Sequence, residues 1–170
     1  KYRIWQEIEV LACEAHAEMG KIGITREEAA WIREHADFNK DEVELEAVTN
    51  HDVIAFLTNM GEYIDKDVPE GEPKPSRWVH FGMTSSDLGD TALCYQLVQA
   101  TDILIEDCRK LGEICKRRSF EERDTLCVGA RRIHATHDLW HEFGSWAWEL
   151  KRDYDRLKDA RAKRGLWRHL

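Results

Sequence analysis

SDLGDTALCYQLVQATDILIEDCRKLGEICKRR, residues Ser86–Arg118, sets the architecture of this chain. Leu93, Leu97, Ala100, Leu104, Cys108, Leu111 and Cys115 follow one another at steps of three or four. That spacing gathers side chains on one face of an α-helix. At 1.5 Å per residue it predicts a rod roughly 45–50 Å long. A seam of that length must lie against other long helices, within a bundle or across subunits. No strand pattern of any length accompanies it, so the sequence predicts an all-α fold.

Just upstream lies Arg77–Asp90, RWVHFGMTSSDLGD. Gly82 permits a turn, and Thr84-Ser85-Ser86-Asp87 reads as the N-terminus of the long helix. The run reads first as a plain helix cap; free N–H groups and the positive end of the helix dipole also suit such a terminus to a carboxylate or a phosphate. Further back, Tyr2–Met19 is an amphipathic pattern, with Ile4, Ile8, Leu11, Ala12, Ala15 and Met19 on one face and Gly20 as its stop. Thr25 and Glu28 form a capping box for a helix running to about His35. A short helix is expected over 41–48. His51–Ile64 is the next helix, with Val53, Ile54, Phe56, Leu57 and Met60 apolar and His51 as a polar group at its start. Asp65–Ser76 holds all three prolines and is a surface loop. Downstream, Phe120–Thr136 breaks the period and reads as a loop. Helix resumes over His137–Lys163, with Trp140, Phe143, Trp146, Ala147 and Leu150 facing inward.

The 170 residues suffice for one domain, or one domain and part of another, and for a real core. The division expected is an N-terminal helical domain over 1–84 and the incomplete start of a central long-helix bundle over 85–170. The net charge of −8 argues against nucleic acid as the main partner, because that partner demands a basic face. Five cysteines without a CxxC spacing read as buried free thiols in a reducing cytoplasm. No signal peptide or apolar run of membrane length is present, which places the protein in the cytoplasm, away from membranes.

Four pieces carry a resemblance. They are YRIWQEIEVLACEAHAEMG (Tyr2–Gly20), EAVTNHDVIAFL (Glu46–Leu57), WVHFGMTSSDLGDTAL (Trp78–Leu93) and WELKRDYDRL (Trp148–Leu157). In these pieces, and in their order, the chain resembles the adenylosuccinate lyase family of the fumarase/aspartase superfamily. The resemblance implies a helical homotetramer in which three subunits build each site. It implies a small nucleotide substrate, adenylosuccinate or the related succinyl carboxamide ribotide of purine synthesis, and no cofactor. Fumarate leaves by anti-elimination: a base removes a proton next to a carboxylate, and an acid protonates the departing nitrogen. The charge that spreads onto the carboxylate needs fixed donors. Thr84 and Ser85 match the family's contacts to that carboxylate. Asn50, His51 and Asp52 match its substrate-contacting triplet, in which the histidine supports the acid. His80 lies in the matching stretch and is assigned to substrate binding.

The departures are as specific. The resemblance implies further segments before Lys1 and after Leu170, the latter carrying the serine base. The family's acid is the histidine of a GRTHG-type segment. Here Thr125–Gly129 precedes Ala130-Arg131-Arg132-Ile133-His134-Ala135, so Arg132 stands at the acid position and His134 matches a neighbouring histidine. One codon spelling of Thr136–Glu142, read one base out of frame, gives PTTFGM, close to the family's EPTTFG. A local frame change across about Ala130–Glu142 is therefore expected. The rival reading of this stretch is a metal site at His134, His137 and His141, whose spacings of three and four share a helical face; the frame change makes these histidines accidental, and no metal is expected. The alternative to a lyase is a non-catalytic helical fragment that oligomerises or binds nucleotide.

Overall fold

A computed structural model describes residues 1–41, 51–128 and 136–165, which are largely helical and form two compact units, Lys1–Leu93 and Cys94–Leu170. The all-α expectation holds, with one small exception described below.

The first unit contains α1 (Tyr2–Met19), α2 (Arg26–His35), α3 (Asp52–Asp65), a 3₁₀ turn (Pro75–Trp78) and the first turns of α4 (Ser85–Glu121). Gly20 ends α1 in the left-handed region (φ 63°), and its N–H returns to His16 O at 3.1 Å. The capping box of α2 is complete. Thr25 Oγ1 accepts from Glu28 N–H at 3.1 Å, and Glu28 Oε2 accepts from Thr25 N–H at 3.0 Å. The core gathers Trp5, Val10, Cys13, Ile32, Phe56, Met60, Ile64 and Leu88. Aromatic rings anchor it: Trp5 meets Phe56 edge-on at 5.5 Å, and Tyr2 stacks on Phe56 at 5.8 Å.

The buried face of α1 differs from the expected one. Trp5, Glu9, Val10 and Cys13 point inward, while Leu11 and Met19 are exposed. Burying the large Trp5 ring against Phe56 outweighs burying one leucine, and Glu9 and Cys13 follow Trp5 at steps of four. The short helix expected over 41–48 lies, beyond Asp41, outside the described residues.

The second unit contains the later turns of α4, β1 (Leu126–Val128), β2 (Thr136–Asp138) and α5 (Leu139–Gly165). The loop expected over Phe120–Thr136 starts two residues later than predicted and is interrupted by β1, and the helix expected from His137 begins at Leu139. Arg118 pairs with Glu121 and Glu122, at 3.2 and 2.7 Å, which carries α4 on to Glu121. The two strands then pair antiparallel, Leu126 opposite Asp138 and Val128 opposite Thr136. The departure from a purely helical chain is local: three-residue strands give too little alternation for a period to be legible. Leu139 N–H donates to Thr125 O at 2.9 Å and starts α5 directly from the ladder.

Within this unit α4 and α5 run antiparallel. Arg161 pairs with Asp102, a Cβ at Gly112 would lie 3.8 Å from Leu150 Cβ, and Ser119 Oγ donates to Trp140 O at 2.7 Å. Of the residues expected to face inward, Trp140 and Trp146 are exposed, since among the described residues no further helix covers that side of α5. The seam of α4 is also open: Leu93, Leu97, Leu104 and Leu111 are exposed, and Cys115 is buried. Cys13 and Cys115 are buried, whereas Cys94, Cys108 and Cys127, expected inside, are half-buried.

Candidate functional site

The stretch Ser76–Ser85 is fastened to three helices of the first unit. Asp65, at the end of α3, accepts from Ser76 N–H at 3.1 Å and from Ser76 Oγ at 2.5 Å. Arg77 reaches the capping-box carboxylate Glu28 of α2 at 2.5 Å. The third attachment comes from α1, where Glu9, Cys13 and His16 lie at steps of four and three on one face. Cys13 Sγ donates to Trp78 O at 3.5 Å, and His16 Nε2 donates to Phe81 O at 3.3 Å. Glu9 Oε2 accepts from His80 N–H at 2.8 Å, and Glu9 Oε1 lies 2.6 Å from His80 Nδ1.

His80 itself adopts φ 61°, the only non-glycine residue in the left-handed region among those described. Such a conformation costs of order 1–3 kcal/mol and persists where its surroundings impose it. Here the imposing group is Glu9, whose side chain is 0% exposed beneath a His80 side chain that is 21% exposed. Gly82 follows at φ 73°, and Met83 N–H closes the turn on His80 O at 3.3 Å. Burial, with the charges of Glu9 and Glu14 nearby, pushes the Cys13 thiol up to about 12, so it remains a protonated donor to the loop.

Two helix N-termini carry the residues expected to act. At the start of α4, Asp87 Oδ2 accepts from Thr84 N–H at 2.9 Å, so the chain's own carboxylate already occupies one terminal donor. Thr84 is exposed and Ser85 half-buried. At the start of α3, His51 is the cap residue, as read from the sequence: its Nδ1 accepts from Ile54 N–H at 3.4 Å. This cap needs the Nδ1 lone pair, which puts the ring proton on Nε2. Nδ1 also lies 4.0 Å from Asp52 Oδ1, beyond hydrogen-bond distance. Asp52 pairs with Lys1 at 2.8 Å, and the hydrogen bond from Lys1 holds its carboxyl below the usual range.

The structure thus brings His80, Thr84 and Ser85 together on one turn and sets His51 and Asp52 on another helix start. Asn50, Arg132 and His134 lie outside the described residues, as does the side chain of His137. Glu9 escaped the sequence reading. Its signal was present, an acid four residues from Trp5 and four from Cys13 on what is the buried stripe.

Similarity to known proteins runs through these same elements. The family model described as a lyase matches residues 1–166. Adenylosuccinate lyase of Bacillus subtilis strain 168 is 39% identical over 173 residues, covering 95% of this chain and 36% of that protein. The enzyme of the same name from Streptococcus mutans is 40% identical over 167 residues, with the same coverage of 95% and 36%. The chain therefore spans little more than a third of the length of these relatives. Among solved structures, β-carboxy-cis,cis-muconate cycloisomerase from Acinetobacter calcoaceticus superposes with a TM-score of 0.79 at 23% identity, over 93% of this chain and 37% of that one. A fumarate lyase from Mesorhizobium superposes at 0.76 and 17% identity, over 93% and 36%. These two show the helical fold. A family match that passes through α1, the His80 turn and both helix starts establishes that the chain belongs to this lyase family.

Proposed function

We propose that this chain supplies the first part of an adenylosuccinate lyase site, eliminating fumarate from adenylosuccinate and from the succinyl carboxamide ribotide of purine synthesis. The observation that supports this best is the His80 turn: a stretch that carries the resemblance to the family is also the one held from α1, α2 and α3. In this reading Thr84 and Ser85 donate to the substrate carboxylate on which charge develops. Asn50, His51 and Asp52 contact substrate, with His51 supporting the acid, and His80 faces the substrate. By resemblance the acid belongs at position 132, where this chain carries Arg132, with His134 as the neighbouring candidate; residues 1–128 therefore supply the substrate contacts and not the acid. The working form is a cytoplasmic homo-oligomer, a tetramer by resemblance, in which sites are completed by other subunits. The exposed faces of α4 and α5 favour a second reading, a helical fragment that associates or binds nucleotide without turnover.

A chimera separates the two. Residues 1–128 of this chain replace the aligned segment of the B. subtilis relative, and fumarate release is followed by absorbance. Turnover is expected, and His51→Ala and Ser85→Ala should each lower kcat by about 100-fold. A soluble, oligomeric chimera without turnover would overturn the proposal. Extending the graft to residue 165 brings in Arg132 and should abolish turnover while leaving substrate binding, since positive charge still attracts the anion.

A further inference from the structure

We infer that Glu9 is a positioning residue, which fixes the His80 ring as the Nδ1–H tautomer and presents the Nε2 lone pair as an acceptor. The role in turnover rests on the lyase reading above; the tautomer does not.

Glu9 is completely buried, and its two oxygens meet two different groups of one residue, His80 N–H at 2.8 Å and His80 Nδ1 at 2.6 Å. The main-chain N–H can only donate. A buried carboxylate is tolerated when its oxygens are bonded to donors, and an ionised carboxylate only accepts. The second oxygen then requires a proton on Nδ1, which leaves Nε2 bare in the neutral ring. Nε2 bonds to none of the described residues, so its lone pair remains for a ligand's donor. The same two contacts hold the left-handed backbone at φ 61°, so tautomer and ring direction are set by one side chain.

Glutamine tests this because it has one acceptor oxygen where glutamate has two. In Glu9→Gln the amide oxygen must serve the main-chain N–H. The NH₂ group then faces Nδ1, which can accept only if the ring proton moves to Nε2. Nitrogen-15 NMR on the purified 170-residue chain, at a pH where the ring is neutral, reads both nitrogens. His80→Asn, which tolerates a left-handed backbone, identifies the His80 signals by their loss.

The wild type should show pyridine-like Nε2 and pyrrole-like Nδ1, and Glu9→Gln should exchange them. A wild-type ring protonated at Nε2, or a tautomer unmoved by Glu9→Gln, overturns the inference. Should Glu9→Gln fail to fold, the wild-type spectrum decides alone. In the 1–128 chimera Glu9→Gln should lower kcat at least tenfold. A reversed tautomer with an unchanged rate would sink the positioning role while sparing the lyase reading. Absent turnover in the unsubstituted chimera would sink the lyase reading and leave the tautomer result standing.

Discussion

The two units of this chain bury their apolar residues very differently. In Lys1–Leu93, Ile32, Phe56, Met60, Ile64 and Leu88 are wholly enclosed, and the Ser76–Ser85 stretch is pinned by hydrogen bonds from three helices. In Cys94–Leu170, Leu104, Leu111, Trp140, Trp146 and Trp148 are exposed, Trp148 by 69%, and among the described residues only Val98 and Cys115 are buried. The cause is geometric. Short helices in the first unit can wrap one another, whereas two long antiparallel helices leave most of their circumference open. Among the described residues, the first unit encloses a core, and the second has the composition of one without the layers that would close it. A groove of about 1080 Å³ runs between α4 and α5, lined by Gly112, Phe120, Trp148 and Leu150 among others.

The contrast should show most strongly in core substitutions. Phe56→Ala is expected to cost about 3–5 kcal/mol and Trp148→Ala within about 0.5 kcal/mol, measured by urea unfolding of the chain. Equal costs would erase the distinction. Next comes association. Light scattering should find particles heavier than the 19.9 kDa chain, and Leu104→Asp with Leu111→Asp should shift them toward monomer. A clean monomer that binds no hydrophobic dye would mean the second unit closes itself.

The first unit also carries a pH signature. The folded state holds the Cys13 thiol at about 12, above its ordinary value of 9.0, so its contribution is complete below pH 9 and lost as pH rises toward 12. Stability should fall by about 1 kcal/mol per pH unit across that window, and less steeply in Cys13→Ala. An identical slope in both proteins would remove Cys13 from the account. Smallest is the cap: Thr25→Ala should cost about 1 kcal/mol of the first unit's stability by thermal melting, since it opens the capping box. A cost near zero would show that Arg77 alone holds Glu28 in place.

The sequence was most legible where a local rule acts alone. Gly20, the Thr25–Glu28 box and the three-four spacing of α4 each depend on neighbours within one or two turns, and each appears where expected. His51 as a cap belongs to the same class. Legibility failed where a partner distant in sequence decides. Leu11 looks as apolar as Val10, yet Phe56 selects the Trp5 side of α1. Trp140 and Trp146 look like core residues, but their cover is not among the described elements. Glu9 resembles any surface acid until His80 is seen above it. The His80 turn was visible as a motif, but its left-handed conformation was not, because that conformation is imposed from α1.

The bonds from α1 to the turn also bear on folding rate. Glu9–His80, Cys13–Trp78 and His16–Phe81 join residues 71, 65 and 65 positions apart. Closing loops of that size is entropically unfavourable, and contacts of such separation raise the contact order on which folding rate depends. The hydrogen bonds that shape the His80 turn thus add to the long-range part of the first unit's topology, the part that slows folding.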